Sequence, residues 1–199
     1  LPLTLFPYTT LFRSLAAVLA TQGSAADLEW LVHEATRDRA QAAPILSALV
    51  ESARLRGLKP RDQAAQTLIA ESVTLGRGQQ RRSALELAGR WQLEELLPQV
   101  MAAALGQNKK DPKTQVTAIE ALARLPGNAE SRIRTLTEQV NRNPEPTVRQ
   151  TALRALAALD LPGAAAIAAS KLSASRRDDV IEPFVVPFLT RKGADATLA

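Results

Sequence analysis

The sequence predicts an all-α fold, an α-α superhelix of about five to six stacked helix pairs. Three observations carry that prediction. First, Ala84, Ala118 and Ala152 stand 34 residues apart, each inside a similar apolar phrase: Ala84-Leu85-Glu86-Leu87-Ala88, Ala118-Ile119-Glu120-Ala121-Leu122 and Ala152-Leu153-Arg154-Ala155-Leu156. Small residues at a fixed period let helices approach closely, and large apolar neighbours supply the buried stripe. Second, hydrophobic residues make up 46% of the 199-residue chain but aromatics only 4%, so the core must be built from Ala, Leu, Val and Ile. That composition suits closely packed helices better than a β-sandwich or barrel. Third, most of the twelve prolines and nine glycines fall where helices would begin or end.

The elements follow in order. Ser24 caps a first complete helix, with Asp27 as its capping-box partner and Leu28, Leu31, Val32 and Ala35 as its apolar stripe. A second runs from Ala42 to Arg56, with Ile45, Leu46, Leu49, Val50 and Ala53 on one face and Gly57 as its stop. Pro60 opens a third, through Leu68, Ile69 and Val73, that ends near Gly76 and Gly78. Helix pairs are then expected at 79–90 with 94–105, 112–124 with 129–141, and 146–158 with 164–172. Pro98 falls early in its helix, where a missing N–H costs little. Asp111-Pro112 and Asn143-Pro144-Glu145-Pro146 combine a capping side chain with a proline that fixes the first turn. Pro126-Gly127 and Pro162-Gly163 are expected to separate first from second helices. A last helix, Asp178 to Leu189, is expected to be kinked or split by Pro183 and Pro187.

Residues 1–14 do not fit this pattern. They hold the chain's one tyrosine and two of its four phenylalanines, and Thr4 to Ser14 resembles the in-frame translation of a sequencing adapter. Residues 1–14 are therefore expected to be an assembly artefact, and 15–199 a fragment of a repeat solenoid truncated at both ends. The rival reading, a secretory signal with Leu15-Ala16-Ala17-Val18-Leu19-Ala20 as its apolar region, lacks the charged start and the length. No stretch approaches the roughly 18–20 apolar residues of a membrane-spanning helix.

Little in the chain points to chemistry. The absence of cysteine removes disulfides, iron–sulfur clusters and thiolate zinc sites, and one histidine, His33, leaves almost no basis for an imidazole metal site. His33 reads as an ordinary helix-surface residue, with no nucleophile motif to accompany it. Arg176-Arg177-Asp178-Asp179 reads as the solvated start of a helix, and Asn108-Lys109-Lys110-Asp111 as an exposed loop between repeats. Gly76-Arg77-Gly78 lacks the spacing of a phosphate-cradling loop. Glu94 and Glu95 could act as an acid pair only if held across a cleft; adjacent on one helix they diverge, and charge stabilisation at the helix start explains them. Trp91 occupies the slot of Leu125 and Leu159, which assigns it to packing, and Leu28 and Leu31 beside Trp30 argue for the core there too. No catalytic, cofactor-binding or metal-binding residue is assigned.

Pro146-Thr147-Val148-Arg149-Gln150-Thr151-Ala152-Leu153-Arg154-Ala155-Leu156 resembles the first helix of a HEAT repeat: Pro, Val-Arg, then Ala-Leu-x-Ala-Leu. Pro112 to Leu122 follows that pattern with Gln115-Val116 in place of Val-Arg, and Gln80 to Ala88 keeps only the apolar register. The tetratricopeptide pattern fails for want of a tyrosine after residue 8, and the ankyrin Thr-Pro-Leu-His is absent. The units are similar to the short bacterial form of HEAT and armadillo-like repeats. In addition, Leu87-Ala88-Gly89-Arg90-Trp91-Gln92-Leu93 and Pro187-Phe188-Leu189-Thr190-Arg191-Lys192-Gly193 resemble phrases in the helical region of PVC-type haem-binding, membrane-bound dehydrogenase-like proteins. That resemblance implies a haem c domain downstream and a periplasmic location, whereas without it the chain reads as cytoplasmic. The haem motif Cys-x-x-Cys-His is not in this chain, so no redox residue carries over.

The function expected is a non-catalytic scaffold or spacer whose partner is another protein or a neighbouring domain of the same parent chain. Two alternatives stand beside it. One is the HEAT segment of a larger haem c dehydrogenase-like protein. The other is a basic nucleic-acid-binding module, suggested by a net charge of +5 and requiring Arg77, Arg81, Arg82, Lys109, Lys110, Arg132 and Arg149 on one face.

Overall fold

The computed structural model describes residues 6–60, 62–106 and 111–174, with side chains placed from Arg13 to Ser173 in those segments. Among them are ten α-helices and no strand: α1 (Phe6–Gln22), α2 (Ala25–Arg37), α3 (Ala42–Arg56), α4 (Gln63–Leu75), α5 (Gly78–Arg90), α6 (Leu97–Ala104), α7 (Pro112–Arg124), α8 (Ala129–Arg142), α9 (Pro146–Leu159) and α10 (Leu161–Ala174). Short 3-10 turns, Arg39–Gln41 and Glu94–Leu96, lead into α3 and α6. The expected helix at Asp178–Leu189 and the charged run at 176–179 lie outside the described residues. α1 crosses the Ser14–Leu15 junction without a break; an adapter origin for residues 1–14 is a property of the coding sequence and not of backbone geometry.

The chain divides into two compact units, Leu1–Leu96 and Leu97–Ala199. In the first, α1, α3 and α5 pack in series, and α2 packs on both α3 and α4. In the second, α7 packs on α9 and α6 on α7, while α9 also contacts α8 and α10. Each unit thus buries one helix face against the next repeat, the arrangement an α-α superhelix requires. The core is as aliphatic as the composition implies. Leu28, Leu31, Ile45, Leu46, Leu49, Ile69, Leu85, Leu87, Leu93, Ile119 and Leu122 are the largest fully buried side chains, each worth about 1.5–3 kcal/mol of transfer free energy. The three period-marking alanines, Ala84, Ala118 and Ala152, are each 0% exposed, because no larger side chain fits where the helices meet.

Helix boundaries follow local chemistry. Ser24 and Asp27 form the full capping box at α2, and the backbone N–H and hydroxyl of Ser24 hold the Asp27 carboxyl below its usual range. Asp62 caps α4 and Asp111 caps α7, each accepting a hydrogen bond from the backbone two residues on. α4 accordingly begins at Gln63 and not at Pro60. Gly57 ends α3 at φ +65°, a left-handed conformation that glycine adopts without a Cβ penalty. At Glu145 the expected side-chain cap of α9 does not form; instead Asn143 Oδ1 accepts from the Glu145 N–H at 2.9 Å. Pro162-Gly163 does not separate helices either. Both lie in the first turn of α10, where proline needs no hydrogen-bond partner, and Asp160 accepts from the Gly163 N–H at 3.0 Å.

Candidate functional site

Cross-repeat polar contacts in the first unit recur at nearly the spacing of the sequence period. Arg54 forms a bidentate pair with Glu86, Nε–Oε1 and Nη2–Oε2 both 2.8 Å, 32 residues apart. Lys59 donates to the Trp91 carbonyl at 3.1 Å across 32 residues, and Trp91 Nε1 donates to the Leu58 carbonyl at 3.1 Å across 33. Arg39 pairs with Glu71 at 3.1 Å, and His33 Nε2 lies 2.8 Å from Asp62 Oδ2. These contacts tie a helix to its counterpart in the next repeat, so the period persists in space where the sequence phrase has faded.

Glu86 sits at the centre of this network, because Arg90 Nε also donates to its Oε1 at 2.9 Å. Burial opposes its ionisation, but hydrogen bonds from Arg54 and Arg90 and their positive charge outweigh burial, so the carboxyl ionises below its usual range. The arrangement is a structural ion-pair network. It has neither a nucleophile nor an unpaired acid.

Arginines perform a second recurrent task, binding carbonyls at helix ends. Arg132, 8% exposed, donates to the carbonyls of Leu122, Leu125 and Gly127, closing the C-terminus of α7. Arg149 donates to the carbonyls of Asn143 and Pro144 at 2.8 and 2.7 Å, and Arg56 donates to that of Gly23. Each satisfies orphan carbonyls and places positive charge at the negative end of a helix or its connecting turn. Arg132 is therefore not available to a polyanion, which corrects its place among the nucleic-acid candidates. Of the others, Arg82 donates to Gln79 Oε1 at 3.0 Å, the Arg81 Nε is buried, Arg77 precedes α5, and Lys109 and Lys110 lie outside the described residues.

The remaining sequence candidates fall as follows. His33 is exposed on α2, as expected of a surface residue, but it reaches the N-cap of α4. Trp91 is buried at 7% exposure, in agreement with its packing role. Trp30 is 44% exposed and does not enter the core, because Leu28, Leu31, Val32 and Ala35 already fill the buried face of α2. Glu94 and Glu95 are exposed on the 3-10 turn before α6. Among the described residues no three His, Cys, Asp or Glu side chains form a metal-binding cluster, and no helix is long and apolar enough to cross a membrane.

Among the described residues, grooves open on each unit. One of about 490 Å³ lies along α1 and α3 and is largely apolar, with Ala17, Ala43, Pro44 and Ala48 in its wall. A second, of about 370 Å³, lies on α2 and α4 around Thr36, Arg39, Glu71 and Gln80. A third, of about 440 Å³, belongs to the second unit and is walled by the end of α6, the start of α7 and the C-terminal turn of α8. It includes Gln115 and Gln139, which are 7% and 5% exposed. Sequence reading did not single out either glutamine; polar residues at core-facing register positions were the available signal.

A HEAT-repeat family model matches residues 65–157 and 103–183, together more than half of the chain. No curated protein and no solved structure gave a significant match. The match spans the α5, α7 and α9 phrases, and the helical stack in each unit has the geometry such repeats need. The chain belongs to the HEAT-repeat family.

Proposed function

We propose that this chain is a non-catalytic scaffold or spacer that mediates protein–protein or interdomain contacts. The observation that carries this reading is how the polar side chains are used. Glu86, Arg54, Arg90, Arg132 and Arg149 all serve to join helices or close helix ends. What the repeats leave for a partner is therefore extended surface and shallow groove rather than a reactive centre. Repeat stacks of this kind act by presenting residues at fixed spacing along successive helices.

The experiment is to extend the coding sequence on both sides of residues 15–199 and compare hydrogen exchange of the extended protein with that of this chain alone. Protection gained on exposed helix faces supports the scaffold or spacer reading. The resemblance of Leu87–Leu93 to haem-binding dehydrogenase-like proteins favours a second reading, a spacer within a redox protein. A Cys-x-x-Cys-His motif in the downstream sequence would establish that context. Binding of duplex DNA that weakens steeply with salt would instead move the assignment to the nucleic-acid alternative.

A further inference from the structure

We infer that the groove of the second unit binds the main-chain amide of an extended polypeptide segment, with Gln115 and Gln139 as its acceptor and donor. The inference deepens the scaffold reading and rests on it. Hydrogen-bond logic sets the orientation of both amides. The Ala104 carbonyl can only accept, so the Gln115 nitrogen must face it, at 3.3 Å, and its Oε1 is left over. Asn143 Oδ1 accepts from the Glu145 N–H, so the Asn143 nitrogen is the group that meets Gln139, at 2.6 Å. Gln139 must therefore present its oxygen to Asn143, which leaves its Nε2 as a donor.

Neither leftover atom has a partner among the described residues. Neither is sealed from solvent, in contrast with Ser52 Oγ, Arg81 Nε and Arg132 Nε. Both side chains are more than nine-tenths buried, and both line the same groove, which is where their remaining surface opens. The groove is built to hold Gln115 in place. Gly106 has φ +69°, and a Cβ there would lie 2.5 Å from Gln115 Nε2. One acceptor and one donor held rigidly in a cleft complement the N–H and C=O of an amide.

Charge selects polypeptide over nucleic acid. Among the described lining residues the charged ones are Glu138, Glu145 and Arg142, with Arg142 3.8 Å from Glu138 and Arg149 bound to the carbonyls of Asn143 and Pro144. Glu145 makes no side-chain capping bond and has no ion pair among the described residues. The Glu145 carboxylate favours a lysine or arginine beside the bound amide over a phosphate at that position.

The test is selection of 12-residue peptides from a random phage-displayed library on the full chain, followed by synthesis of the enriched peptide with each amide replaced in turn by an ester. The expected result is enrichment of basic residues and one ester position that weakens binding roughly tenfold. That ester penalty should vanish in Gln115→Met, and Gln139→Met should weaken the parent peptide by a similar factor. Peptides whose affinity is indifferent to both substitutions would overturn the inference while leaving the scaffold reading intact. Failure to select any peptide would overturn the inference alone, since the hydrogen-exchange comparison tests the scaffold reading separately. Oligouridylate binding that Gln139→Met abolishes would reassign the groove to nucleic acid. Helical circular dichroism of both variants separates loss of binding from loss of fold, and Gln139→Met leaves the Gln115 contact with Ala104 in place should Gln115→Met not fold.

Discussion

In the unit Leu1–Leu96, polar side chains reach from one helix to its counterpart in the next repeat: Arg54 to Glu86, Arg39 to Glu71, His33 to Asp62. In the unit Leu97–Ala199, the described ion pairs, Arg134–Glu130 and Arg142–Glu138, both stay within α8. The cross-element polar contacts there are made by Gln115, Arg132 and Arg149, which bind backbone carbonyls. Both units answer the same requirement, that helix ends and inter-helix gaps be satisfied. The first does so with carboxylates as well as main-chain carbonyls, and the second, among the described residues, with carbonyls. The difference has consequences for acid sensitivity, because carbonyl acceptors do not titrate and carboxylates do.

The largest contrast is expected at the equivalent helix ends Trp91 and Leu125, which are 7% and 1% exposed. Trp91→Ala should cost about 4 kcal/mol and Leu125→Ala about 3 kcal/mol in urea unfolding of the full chain. Equal losses would show that the indole hydrogen bond to Leu58 adds nothing to packing. Enlarging a period-marking alanine comes next. Ala152→Leu should destabilise by about 2 kcal/mol, since overpacking a closed gap forces backbone or rotamer shifts. An unchanged melting temperature would mean that Ala152 does not mark the repeat contact.

Capping cations supply a third comparison. Arg132→Met leaves the buried carbonyls of Leu122 and Leu125 without this partner and should cost about 2 kcal/mol, against less than about 1 kcal/mol for Lys59→Met at an exposed site. Similar values would mean that water reaches the α7 carbonyls once the guanidinium is gone.

The smallest effects concern acid. Because the Glu86 carboxyl is lowered in the folded chain, its contribution is complete above the ordinary value of 4.5 and is lost as pH falls through the lowered folded value. Glu86→Gln should therefore flatten part of the stability profile below about pH 4.5 and cost roughly 1 kcal/mol at neutral pH. Glu130→Gln, an exposed pairing inside α8, should change stability by less than about 0.5 kcal/mol. If the two variants gave the same acid profile, the bridging geometry of Glu86 would have no energetic consequence.

Much of the second unit could be read in advance. Asp111-Pro112 opens α7 as expected, and Pro146 opens α9, because proline and a capping carboxylate act within one turn of chain. The first unit was harder beyond its helix boundaries. Its repeat phrase survives only at Ala84, and the 32–33-residue links from Arg54, Lys59 and Trp91 join residues whose proximity no local pattern predicts. Trp30 was misread for a related reason. Apolar neighbours in sequence show that a helix has a buried face, but Trp30 lies off the face that Leu28 and Leu31 define.

By itself the sequence determined the helical class, the 34-residue period, most helix ends and the family, since each depends on residues within a turn or on the repetition of a phrase. Only the tertiary structure decided which arginines are spent on carbonyls, which carboxylate is bridged, and which polar atoms remain unpaired in a groove. Those outcomes depend on side chains brought together from different helices. Arg132 and Arg77 look alike as letters, but one lies buried against the end of α7 and the other lies exposed before α5. Gln115 and Gln139 gain their shared groove in the same way, through packing that brings side chains 24 residues apart, on the successive helices α7 and α8, around one cleft.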